Sequence, residues 1–80
     1  MIKELVEYFV KTLVTNPQKV RVTVESQQDK NLISVFVAQE DRGRVIGKDG
    51  KTIRSIRQCI DAIFPEEHAI TIDLFDDQQA

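Results

Sequence analysis

The chain has one cysteine, one histidine, no tryptophan, two prolines and three glycines among its 80 residues. Each scarcity closes off a class of protein. The single cysteine, Cys59, excludes an internal disulfide and makes a reducing cytoplasm the expected setting. Cys59 and the lone histidine, His68, do not form the clustered Cys, His and carboxylate pattern that a metal site needs, so no metal is expected. His68 follows Pro65-Glu66-Glu67 without an evident partner and reads as a surface residue. No nucleophile stands with a base, so no enzymatic activity, cofactor or small-molecule substrate is expected. No apolar run approaches about 18 residues, so no membrane-spanning helix is expected. The start, Ile2-Lys3-Glu4, lacks an apolar leader segment.

What remains is enough for one domain. Hydrophobic residues make up 41 % of the chain, which fits a folded protein with one modest core over residues 1–80. The net charge of −2 conceals a dipolar sequence. Residues 42–57 contain Arg42, Arg44, Lys48, Lys51, Arg54 and Arg57 against one acid, Asp49, a balance of +5; the rest of the chain carries −7. Within this cationic stretch lies Gly47-Lys48-Asp49-Gly50, between the apolar step Val45-Ile46 and a run of helical periodicity. A glycine loop that opens a helix offers free backbone N–H groups, a partly positive helix end and close approach for a ligand's backbone, which together suit phosphate. It is not a nucleotide P-loop, which needs four residues between its glycines and Ser or Thr after the lysine.

Along the chain, periodicity predicts six elements. Ile2, Leu5, Val6, Phe9, Val10 and Leu13 fall on one face of a helix over 2–14, stopped by Asn16-Pro17. Val20, Val22 and Val24 alternate with polar residues in a strand over 19–26, and a polar turn at 27–31 leads to a second strand over 32–38. The short link makes these an antiparallel hairpin. A short helix follows over 39–46. The strongest helix covers 51–64, with Ile53, Ile56, Ile60 and Ile63 as its apolar stripe, Cys59 as a small packed side chain and Pro65 as its stop. Ile70, Ile72 and Leu74 form a third strand, and 76–80 reads as a polar tail. The order α-β-β-α-α-β predicts a two-layer α+β domain, a three-stranded sheet with helices on one face.

Val-Ile-Gly-Lys-Asp-Gly-Lys-Thr-Ile, residues 45–53, resembles the V-I-G-x-x-G-x-x-I signature of KH domains, which bind single-stranded nucleic acid. The element order is that of the type II KH domain. Size and the arginine-rich helix after the loop are similar to the small bacterial single-KH-domain proteins of the KhpA family. The resemblance implies a loop that clamps the backbone of about four nucleotides of single-stranded RNA. Carried to matching positions, Gly47 and Gly50 permit close approach and Lys48 supplies charge, with Ile46 on the floor of an apolar base groove. It also implies a homodimer, association with a larger KH-containing protein called KhpB, and an RNA-chaperone, post-transcriptional role linked to cell length and cell-wall homeostasis.

The individual residues carry rival readings. The loop could be a plain helix–helix turn that needs glycine at positive φ. Arg54 and Arg57, three apart on one helix face that starts beside Lys48 and Lys51, are expected to contact the nucleic-acid backbone, against the plainer reading of a solvated helix face. One of Arg42 and Arg44 is expected on RNA and the other paired with Glu40 or Asp41. Asp49 should repel phosphate and is expected to cap the helix that follows. Ile53 reads as core with a possible share in the groove. None of the five aromatics, Tyr8, Phe9, Phe36, Phe64 and Phe75, lies in the cationic stretch, so base recognition should be weakly selective. Phe36 and Phe75 fall out of phase with the core, which predicts cover by the first helix or a second subunit. Two whole-chain alternatives stand beside RNA binding. One is a protein-interaction module with little RNA affinity. The other is a DNA-binding helix-turn-helix, disfavoured because its recognition helix would begin Lys-Thr-Ile, with few groups suited to base edges.

Overall fold

A computed structural model describes residues 1–66 and 69–77. Helix α1 runs Ile2–Leu13, strand β1 Arg21–Gln27, strand β2 Lys30–Val37, helix α2 Arg42–Ile46, helix α3 Lys51–Ile63 and strand β3 Ile70–Asp76. Short 3-10 turns at Pro17–Lys19, Gln39–Asp41 and Lys48–Gly50 join them. The order is the predicted α-β-β-α-α-β.

The sheet has the strand order β1-β2-β3, with β1 antiparallel to β2 and β3 parallel to it. Parallel β3 needs a crossover, and α2 and α3 provide it. The alternation seen in sequence decides what the two sheet faces do. Val22, Ile33, Val35, Val37 and Ile70 point inward and pack with Val6 and Val10 of α1, Val45 of α2 and Ile56 and Ile60 of α3. Burying one such aliphatic side chain stabilises the fold by about 1.5–3 kcal/mol. No described helix is long and apolar enough to cross a membrane.

Several expectations are corrected. Phe36 and Phe75 are not covered by α1, which packs on the opposite sheet face. They are register neighbours on the outer face, their rings 5.2 Å apart and 22° from parallel, and the Arg21 guanidinium lies 4.6 Å from the Phe36 centroid. Cross-strand stacking and a cation over the ring satisfy them locally. The hairpin turn is tighter than 27–31: Gln27 pairs with Lys30, and Gln28 takes φ 46 to close it. Strand β3 continues past Leu74, so Asp76 belongs to the sheet and is buried. Residues 78–80 of the expected tail, and His68, lie outside the described residues. Cys59 is exposed rather than packed, and Ile63 is 52 % exposed, so only Ile56 and Ile60 of the α3 stripe are buried.

Candidate nucleic-acid interface

The interface is built by α2, the loop and the start of α3. Helix α2 is five residues long, and Val45 anchors it in the core while Ile46, its neighbour, stays half-buried. Gly47 ends the helix: its N–H donates to the Gly43 carbonyl at 2.9 Å, and its φ of 74 with ψ of 176 lies where essentially only glycine goes. A side chain there would also overlap that of Thr52. Thr52, which sequence reasoning passed over, therefore packs against the loop's first glycine.

The loop then tightens. Gly50 N–H donates to the Gly47 carbonyl at 3.2 Å, and Lys51 N–H to the Lys48 carbonyl. Asp49 adopts φ 57, a left-handed conformation that Asp and Asn tolerate better than most residues. Gly50 follows at φ 74 and ψ 15. Its missing side chain also seats Arg54, whose Nη1 would stand 3.0 Å from a Cβ there. That same Nη1 donates to the Asp49 carbonyl at 2.7 Å. Two backbone N–H groups, those of Lys48 and Asp49, are left without a hydrogen bond among the described residues.

Asp49 does not cap α3: the N-cap residue is Gly50, and no side chain makes a cap hydrogen bond. Its carboxylate is exposed. A left-handed backbone at Asp49 and Gly50 leaves the cap position to glycine, so the expected capping geometry does not arise.

The six cations separate into two sets. Arg42 Nη1 lies 3.4 Å from Asp76, and Arg44 Nε lies 3.6 Å from Asp41, so both arginines before the loop are engaged. Arg57 makes a long surface pair with Asp61 at 3.9 Å, worth a few tenths of a kcal/mol at most. Arg54 uses one nitrogen on the loop carbonyl and is otherwise exposed. Lys48 and Lys51 are exposed, and neither enters an ion pair among the described residues. Ile53 is half-buried against the core.

Asp41 has no exposed surface. Its carboxylate accepts the N–H of Thr15 at 3.0 Å and its Oγ1 at 2.8 Å, and the N–H of Asn16 at 3.0 Å and its Nδ2 at 3.1 Å. Burial pushes the carboxyl's pKa up, but the hydrogen bonds from Thr15 and then Asn16 outweigh it and hold the value at about 2, below the ordinary 3.8. An apolar groove between α1 and α3 is lined by Phe9, Thr12, Leu13, Thr52, Ser55, Ile56 and Cys59. No group of three or more potential metal ligands occurs among the described residues.

Comparison with known proteins bears on what this arrangement belongs to. The KhpA/KhpB KH-domain family matches residues 3–74. The chain is similar to RNA-binding protein KhpA of Thermotoga maritima, 37 % identical over 70 residues that cover 88 % of this chain and 93 % of that protein. It is similar to RNA-binding protein KhpA of Streptomyces coelicolor, 34 % identical over 76 residues, 95 % of this chain and 94 % of that one. Among solved structures it resembles Era in complex with MgGDPNP and nucleotides 1506–1542 of 16S ribosomal RNA, with a TM-score of 0.55 and 17 % identity over 94 % of this chain. The match spans 29 % of the Era chain and speaks for the fold alone.

Proposed function

The chain belongs to the KhpA/KhpB family of KH domains, and from that premise we propose that it binds single-stranded RNA through the Gly47–Gly50 loop and the start of α3. The observation that carries this is the conjunction at the loop: two unbonded N–H groups, at Lys48 and Asp49, beside two unpaired lysines, Lys48 and Lys51. Phosphate oxygens accept from the N–H groups, the lysines supply charge, and Arg54 and Arg57 extend the cationic face along α3. Ile46 and Ile53, both half-buried, give the bases an apolar floor. Arg42 and Arg44 hold the scaffold through Asp76 and Asp41 and contribute field rather than direct contacts. Asp49 opposes the ligand. The body of the protein is acidic, so binding is weak and steeply salt-dependent.

The wider role we propose rests on the family resemblance: a cytoplasmic RNA chaperone and post-transcriptional regulator that forms homodimers, associates with KhpB and acts in cell length and cell-wall homeostasis. A second reading, a docking module with little RNA affinity, is favoured by one observation. The groove between α1 and α3 is apolar and open, and the large exposed hydrophobics Tyr8 and Ile63 lie on the same two helices.

Fluorescence polarisation with a labelled single-stranded RNA, for wild type and Lys48→Asp at two salt concentrations, separates the readings. RNA binding by the loop requires salt-sensitive binding by wild type and its loss in a folded Lys48→Asp. Equal binding by both moves the contact surface elsewhere, and no binding by either favours the docking module.

A further inference from the structure

Asp41 stands immediately before α2 with its side chain wholly buried. A buried carboxylate is costly unless donors surround it. All four of its hydrogen bonds come from two residues, Thr15 and Asn16, in the connection between α1 and β1, 25 and 26 positions away in sequence. It makes no cap hydrogen bond to its own helix. Its charge is therefore directed at another segment. Helix α2 is about 7.5 Å long and has no stability of its own. Val45 fixes its middle in the core, Asp41 fixes its start, and Gly47 opens the loop at its end. Arg44, on the intervening turn, is held by the same carboxylate at 3.6 Å.

We propose that Asp41 is a positioning residue for RNA binding: by tying the start of α2 to Thr15 and Asn16 it sets the aim of the Gly47–Gly50 loop and the place of Arg44. This rests on the proposed RNA-binding role of the loop. The sign of the effect distinguishes it from simple electrostatics. Removing an anion near a phosphate site raises affinity by Coulomb attraction alone. Loss of positioning lowers it, because a loop that must be ordered on binding gives up affinity.

The test uses the full chain and a fluorescein-labelled single-stranded RNA at about 50 mM salt. Asp41→Asn, Thr15→Val, Thr15→Ser and Lys48→Asp are compared with wild type, each well below its own melting temperature. Asp41→Asn is expected to bind about tenfold more weakly with an unchanged circular dichroism spectrum. Thr15→Val weakens binding in the same direction, and Thr15→Ser, which keeps the donor, restores it. Should Asp41→Asn fail to fold, the Thr15→Val and Thr15→Ser pair decides alone. Wild-type or tighter RNA binding by folded Asp41→Asn and Thr15→Val, with Lys48→Asp still deficient, overturns the positioning role. Undiminished binding by Lys48→Asp overturns the loop as the RNA site, and the inference falls with it.

Discussion

Two short stretches, Asp41–Arg44 and Lys48–Lys51, have nearly the same chemistry and opposite fates. Each sets an acid among cations. In the first, each charge has a partner, although the buried Arg42 Nε itself makes no hydrogen bond: Asp41 is met by Thr15, Asn16 and Arg44, and Arg42 by Asp76. In the second, Lys48, Asp49 and Lys51 are exposed, and two backbone N–H groups are unbonded. The difference comes from backbone conformation. A helical turn before the loop carries Asp41 toward the α1–β1 connection, whereas with the left-handed backbone at Asp49 and Gly50 the Lys48, Asp49 and Lys51 side chains are exposed and the Lys48 and Asp49 N–H groups have no partner. Composition alone assigns both stretches to one cationic patch. The structure makes the first a scaffold and leaves the second with unsatisfied groups, which is where a ligand gains most.

Four variants test this division, in descending order of expected effect on RNA affinity. Reversing both unpaired lysines, Lys48→Glu with Lys51→Glu, should weaken binding more than about 100-fold at low salt and flatten its salt dependence; polarisation titrations read both. Gly47→Ala should weaken binding about tenfold. It should also destabilise the fold by about 2 kcal/mol in urea unfolding, since it forces a side chain into a glycine-only conformation and against Thr52. Asp49→Asn keeps a residue that tolerates the left-handed backbone and removes an unpaired anion, so it should tighten binding about threefold without changing stability. Arg42→Gln should leave affinity within about twofold and instead lower the melting temperature, because its partner is Asp76. A large loss of affinity in Arg42→Gln would erase the boundary between scaffold and site.

Acid tests the tie made by Asp41 in a different way. The folded-state pKa of Asp41 is held at about 2 against an ordinary 3.8. Its ionised form therefore stabilises the fold fully above about pH 4, and this contribution is lost as the pH falls toward 2. In Asp41→Asn that part of the acid sensitivity should vanish from thermal melts taken between those limits.

Much of this was readable in advance, and the misses have physical causes. Period-2 valines and the 3.6-period isoleucines fixed the element order, because one buried face per element is what a two-layer fold requires. The glycine spacing located the loop. Sequence pattern predicts too wide a hairpin turn because Gln28 takes a positive φ without the glycine or asparagine that usually announces it. Asp76 sits at the next inward position after Ile70, Ile72 and Leu74, yet a charged residue there read as the start of a tail; Arg42, 34 positions earlier, makes it tolerable. Helical periodicity identifies the α3 stripe but not how much of it α1 and the sheet cover, so it puts Ile63 and Cys59 inside, where the structure leaves both exposed. Arg44 and Arg57 pair with acids three and four positions away, within reach of a local pattern, whereas the partner of Arg42 is 34 positions away and no local pattern reports it.

The most direct measurement is an amide NMR titration of the wild-type chain with single-stranded RNA. The account predicts that the largest shifts fall on Lys48 and Asp49, extend along the first two turns of α3, and leave Thr15, Asn16 and the outer sheet face around Phe36 and Phe75 little changed. Shifts concentrated instead along the α1–α3 groove, at Phe9, Leu13 and Cys59, with a silent loop, would contradict it.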